Sequence, residues 1–178
     1  MLQQKRQFGL GDPNAQFNVY IGNYPSISEY SNLDLTKPLS AGEIHSIGQA
    51  CGNGWRKVFN VYAKLVFALN AENIVALQGA QSWQEYRDHT LLQSLSNTNL
   101  LFSPPQLIDV KSSNSHSVYI VMGKTYAKSL NLPCTLHWLD HEFALNTHLK
   151  LLVCPYFDYR QLSNIKIIRL VKLIQNNF

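Results

Sequence analysis

The chain has 178 residues, 46% of them apolar and 15% charged. That is about one domain's worth, enough to bury roughly 70% of the unfolded surface without metal or disulfide staples. Its aromatics and sparse charge exclude a disordered chain. Its composition also excludes a membrane span, a collagen-like chain and a disulfide scaffold, and 15 basic against 11 acidic residues give only +4, short of a dedicated nucleic-acid-binding stripe.

Residues 1–17 read as a loose N-terminal arm on a single α/β domain spanning 1–178. Met1 to Leu10 contains no seven-residue apolar core, so no signal peptide is expected and the expected location is the cytoplasm. Asn18-Val19-Tyr20-Ile21-Gly22 is a β-rich run that stops at glycine and predicts a strand. Residues 23–39, with Pro25, Pro38 and several Ser, Asn and Asp, read as a long loop, and loops of that length tend to be functional or mobile.

Ser40-Ala41-Gly42-Glu43 has the form of a capping box and predicts a helix to about Cys51. From Trp55, apolar residues fall at 55, 59, 62, 63, 66 and 67, the stripe of an amphipathic helix. A second box, Ser82-Trp83-Gln84-Glu85, predicts a helix to about Leu95. Three further apolar runs read as strands: Asn99 to Phe102, Ser117 to Met122, and Leu149 to Cys154. Their continuous apolar character suits strands buried on both faces. Leu136 to Phe143 also reads as a strand. Ser163 or Asn164 caps a closing helix. It carries Lys166, Arg169 and Lys172, and no acid follows Asp158 in the chain. Strands alternating with helices predict a three-layer α/β sandwich around a mostly parallel sheet.

Motifs narrow the chemistry mainly by exclusion. Gly123-Lys124-Thr125 has the tail of a phosphate-binding loop, but Val118 stands where the motif needs its first glycine. His137 and His141 share a face in a helix or a strand, yet no third ligand is evident, so no metal is expected. Cys51, Cys134 and Cys154 have no C-x-x-C spacing and read as small buried hydrophobes. Trp55 and Phe59 pair with Arg56 and Lys57 in a way that suits nucleic acid, but both rings lie on the apolar stripe and read as core. No cofactor motif is present.

Several strand exits resemble those of the uracil-DNA glycosylase superfamily. Gly22-Asn23-Tyr24-Pro25 is similar to that superfamily's first Gly-x-Asp/Asn-Pro loop. Val118 to Leu130 is similar to its penultimate strand and helix. Leu151 to Lys172 resembles its end, with Cys154-Pro155-Tyr156 in place of a His-Pro-Ser loop. The resemblance implies a glycosylase-like fold. It does not carry the catalysis across, because Tyr24 stands where the family positions water and Cys154 stands where it stabilises the departing base.

In an open parallel sheet, ligands sit at the carboxyl ends of the strands. Asn23, Tyr24, Pro25, Ser26, Tyr156 and Asp158 are therefore the expected ligand-binding residues, around one cleft walled by the tyrosines. Arg160 and Lys166 are the expected nucleic-acid contacts. The expected partner is nucleic acid or a planar small molecule, with no membrane. The expected function is nucleic-acid or nucleobase binding on a glycosylase-like scaffold with catalysis lost or altered. Two alternatives stand beside it. One is an active glycosylase-like hydrolase in which Asn23 positions water with help from Asp158 or Ser26. The other is a small-molecule or protein-interaction domain with no nucleic-acid role.

Overall fold

The structure, a computed structural model, describes residues 6–69, 77–107 and 116–178. Among these residues, eight strands form one sheet: β1 (Gly9–Gly11), β2 (Phe17–Tyr20), β3 (Thr36–Lys37), β4 (Thr98–Leu101), β5 (Val118–Met122), β6 (His137–Trp138), β7 (Ala144–Asn146) and β8 (Leu151–Cys154). Six helices accompany it among the described residues: α1 (Ser28–Ser31), α2 (Glu43–Cys51), α3 (Asn53–Leu69), α4 (Trp83–His89), α5 (Lys124–Ser129) and α6 (Asn164–Asn177). Among the described residues, no helix is long and apolar enough to cross a membrane.

The spatial order is β3-β1-β4-β2-β5-β8-β7-β6. The central four, β4-β2-β5-β8, run parallel. They are the four strands expected from apolar runs, and every residue in them is buried. The flanks differ from the mostly parallel expectation, because β1 pairs antiparallel with β4 and β7 antiparallel with β8 and β6. The sheet is therefore mixed. Short antiparallel strands need only tight connections, whereas each further parallel strand needs a long crossover.

Side chains alternate across a strand, which divides the core in two. Phe17, Val19, Leu100, Ile120, Leu152 and Cys154 pack with the apolar sides of α2, α3, α4 and α6. Tyr20, Leu101, Tyr119, Val121, Leu151 and Val153 face the other way, with Ala127 of α5 and Ala144 of β7. Helices on both faces make three layers. Two hydrogen bonds tie polar groups inside this core: the Asn99 amide donates to Asn18 Oδ1 at 2.8 Å, and the Tyr62 hydroxyl donates to the Asn99 carbonyl at 2.8 Å.

Local chemistry explains where the expected elements stop short. Residues 9–11 of the supposed arm form β1, with Leu10 in the core. The 23–39 loop contains α1 and β3. At the first capping box, Glu43 reaches back to the Ser40 amide at 2.5 Å, but the helix begins at Glu43 with Gly42 as its cap. At the second, Ser82 Oγ accepts from the Glu85 amide at 3.1 Å, and Glu85 accepts from Gln81. That helix ends at His89 because the chain then turns through positive φ at Leu92, Leu95 and Asn97. Leu136 to Phe143 is not one strand. Asp140 Oδ1 accepts from the amides of Glu142 (2.7 Å) and Phe143 (2.8 Å) and turns the chain between β6 and β7. Asp side chains commonly do this.

Leu152 is fully buried at the centre of β8. Leu152→Ala is expected to lower unfolding free energy by about 2–5 kcal/mol through lost burial and a residual cavity. Urea denaturation checks this, and a loss below the lower end would mean that β8 is not clamped between two helical layers.

Candidate functional site

Because β4, β2, β5 and β8 are parallel, their chain exits share one rim of the sheet. The exits are bonded to each other there: the Ile21 amide donates to the Leu101 carbonyl at 3.0 Å and the Gly123 amide to the Cys154 carbonyl at 2.8 Å. Beyond these bonds the loops after β2, β5 and β8 diverge around a cleft of about 580 Å³. Its lining includes Asn23, Thr125, Tyr126, Glu142, Tyr156 and Gln161.

Two contacts shape this cleft. A Cβ at Gly22 would stand 2.9 Å from the Tyr126 ring, so glycine lets that ring lie against the β2 exit. Across the cleft, the Tyr156 hydroxyl donates to Asn23 Oδ1 at 3.2 Å, joining loops 133 positions apart in the chain. Burial pushes the Tyr156 phenol above its ordinary pKa, against the pull of the Asn23 bond. The phenol therefore stays protonated and donating at neutral pH. Cys154, at the end of β8, is completely buried, and desolvation pushes its thiol far above its ordinary range. A thiol in that state is no nucleophile.

The expected site residues divide between the cleft and its surroundings. Asn23 and Tyr156 line it, while Tyr24, Pro25, Ser26 and Asp158 are not among its lining residues. Tyr24 is 51% exposed, and its ring lies 6.3 Å from that of Phe102, which in turn meets Trp55 edge-on. Pro25 is buried and Ser26 exposed. Asp158 accepts from Lys57 Nζ at 2.9 Å and from the Arg160 amide at 2.9 Å. Burial raises the Asp158 carboxyl, but the Arg160 amide and the Lys57 ammonium outweigh it and hold the group below its ordinary pKa. The exposed Tyr159 ring carries Lys57 Nζ at 4.9 Å and the Arg160 guanidinium at 5.9 Å.

Two of the three basic residues of the closing helix are offset, contrary to the expectation from chain order. Lys166 pairs with Glu142 at 2.6 Å and Arg169 with Asp140 at 2.5 Å. Both acids lie in the β6–β7 turn, more than twenty residues upstream, where no linear charge count connects them to α6. Glu142, Tyr126 and Gln161 are cleft residues that the sequence pattern does not single out. Gly22 was the available signal for Tyr126, since a glycine at a strand end often marks a close approach. Among the described residues, no group of three or more His, Cys, Asp and Glu stands in a metal-holding arrangement.

The cleft thus offers amides, hydroxyls and aromatic faces, with Glu142 paired to Lys166 and the Lys124 ammonium lying 5.1 Å over the Trp138 ring. Such a lining recognises planar polar groups by hydrogen bonding and stacking. Comparison with known proteins gives a match over residues 8–175 to the model of a family of unknown function (DUF6942). No curated protein and no solved structure matches the chain.

The turn bordering the cleft is sensitive to acid. The amides of Glu142 and Phe143, with Arg169, outweigh desolvation and hold the Asp140 carboxyl down to about 2. A depressed carboxyl contributes stability that is fully present above its unfolded pKa and lost as pH falls through the folded value. The Asp140 side-chain carbon is expected to titrate by NMR at about 2, with the Glu142 and Phe143 amide shifts following it. A midpoint in the ordinary aspartate range would show that the turn is not held this way.

Proposed function

The chain belongs to DUF6942, a family of unknown function, and we propose that it binds nucleobases, free or in nucleic acid, on a glycosylase-like scaffold whose catalysis is lost or changed. The observation that carries this reading is the Tyr156–Asn23 hydrogen bond inside the rim cleft. It orients an amide whose remaining donors and acceptor lone pair match the mixed edge of a base. The rings of Tyr126 and Tyr156 supply flat walls. Tyr24, Tyr159 and Arg160 are exposed on the loops of the same rim, which suits stacking and phosphate contact with a single strand.

The catalytic part of the reading follows from Cys154. A buried protonated thiol gives no electrostatic help to a departing base, and that help is usually the largest catalytic contribution. Hydrolysis would rest on Asn23 to position water. The two groups expected to assist are poorly placed, since Asp158 is held by Lys57 and Ser26 lies off the cleft lining.

Fluorescence anisotropy with a single-stranded oligonucleotide across a salt series tests the reading. Asn23→Ala and Tyr156→Phe are each expected to weaken binding by roughly fivefold, the worth of about 1 kcal/mol of hydrogen bonding. Arg160→Ala is expected to flatten the salt dependence by about one unit of slope. Lys166→Ala is expected to change it less, because Glu142 already neutralises that charge. Absence of binding to single strands, duplexes and free bases would remove the proposal and leave a small-molecule or protein-interaction role. Abasic sites produced from a uracil- or hypoxanthine-containing oligonucleotide would restore the hydrolase.

A further inference from the structure

The helical layer on the opposite face of the sheet from α5 holds a second cavity, of about 210 Å³, between α2, α3 and α4. Its walls include Arg56, Arg87, Gln49 and Asn60, with Ile44 and Phe59 as apolar parts. We propose that this cavity binds an oxyanion, the phosphate group of a small phosphate monoester. The site is separate from the rim cleft and does not depend on the function proposed for it.

The argument begins with Arg56. Its Nε donates to the Gly48 carbonyl at 3.1 Å, Nη1 to Asn53 Oδ1 at 3.3 Å and Nη2 to Gln49 Oε1 at 2.9 Å. All three acceptors are neutral. Among the described residues, Arg56 makes no ion pair with a carboxylate, so its charge is positioned but not neutralised. The positioning depends on Gly48, since a Cβ there would stand 2.7 Å from Arg56 Cγ. Glycine in a helix interior is unfavourable by about 1 kcal/mol relative to alanine, and here it gives the arginine stem a bed across α2.

Arg87 is held just as firmly from the next helix. Asp88 grips it through Nε (2.7 Å) and Nη2 (3.0 Å), and Asn60 Oδ1 accepts from Nη1 at 2.6 Å. The Trp83 ring lies 5.6 Å beneath its guanidinium. Each guanidinium carries five N–H donors, so each retains two beyond the three it uses. The pair of arginines against Asp88 leaves one uncompensated positive charge. Preorganised guanidinium donors with surplus charge match an oxyanion.

The adjoining space indicates what the oxyanion is attached to. A further cavity of about 180 Å³ shares Ile44, His45 and Asp88 with the first and is lined by Ser40, Gly42 and Gln93. Hydroxyl, amide and carboxylate groups there suit the hydroxyls of a small polyol. A phosphate held by the arginines would place its ester group toward that end.

Arg56 also serves the last turn of α2 by bonding the Gly48 carbonyl, and the test must separate that role from ligand binding. Inorganic phosphate, glycerol 3-phosphate and acetate are each added at about 10 mM against chloride of equal ionic strength, and the melting temperature is read, since a ligand that binds only the folded state raises it. Phosphate is expected to raise it, glycerol 3-phosphate more so, and acetate not at all. Arg56→Gln is expected to abolish the phosphate-dependent rise whatever it does to the baseline. Gly48→Ala is expected to weaken phosphate binding by about tenfold without loss of helix content. NMR shifts on phosphate addition are expected at Gln49, Asn60 and Arg87. Equal response to acetate, or a phosphate response that survives in Arg56→Gln, overturns the proposal. A greater response to inorganic phosphate than to the ester would retain the oxyanion site and overturn its assignment to a monoester.

Discussion

Four parallel strands with no exposed residue set the terms for everything else in this molecule. Such strands have to be covered on two faces, and their edge backbone groups have to be paired. The amphipathic α3 meets the first demand on one side, with α2, α4 and α6 packed beside it. The short α5 meets part of it on the other. The antiparallel β1 and β7 meet the second demand at the two edges of the parallel core. The mixed sheet is therefore a parallel core with short antiparallel edges, and the parallel core alone determines that the chain exits gather at one rim.

At that rim, packing decides which loops part and which stay together. The β4 exit is closed by aromatic packing, with Phe102 between Tyr24 and Trp55. The exits of β2, β5 and β8 stay open around the cleft. The fourth segment around it is the β6–β7 turn, which Asp140 shapes and which two ion pairs tie to α6. Partly exposed ion pairs contribute only about 0–1 kcal/mol each. Their consequence here is chiefly positional: they hold Glu142 beside the cleft and offset Lys166 and Arg169 of α6.

The parts of this structure that were legible in the sequence are those governed by short-range pattern. The four central strands are marked by β-rich or continuous apolar runs, α3 by helical periodicity and α6 by its capping residue. Asn23 and Tyr156 were placed at strand exits because glycine and proline punctuate them. What escaped depends on contacts distant in sequence. β1 is three residues of Gly-Leu-Gly, too short for a pattern, and exists because β4 lies beside it. The β6–β7 turn was hidden by aromatic residues that read as a strand, and only the hydrogen bonds of Asp140 break the run. The pairing of Lys166 and Arg169 could not be read from a chain in which every acid precedes them. Tyr24 and Asp158 were placed in the cleft by adjacency, but a strand exit turns successive side chains to different sides, so Asn23 enters the cleft while Tyr24 packs against Phe102.

The two cavities differ in what they leave unsatisfied, and that difference bears on what each can recognise. In the rim cleft the nearby acids are matched, Glu142 with Lys166 at its wall and Asp158 with Lys57 beside it, while Lys124 at the wall rests over the Trp138 ring. What remains is an oriented amide, a protonated phenol and aromatic surface. A neutral planar group loses little hydration on entering such a site, whereas a cation would lose its hydration to a wall whose carboxylate is already paired. In the α2–α3–α4 cavity the imbalance is electrostatic instead. Arg56 is fixed by neutral acceptors, and its charge has no carboxylate partner among the described residues. The sheet lies between α5, which borders the cleft, and the helices that hold the arginines. One chain thus presents a hydrogen-bonding surface for neutral rings on one side and a preorganised cationic surface on the other, and the parallel core keeps them apart.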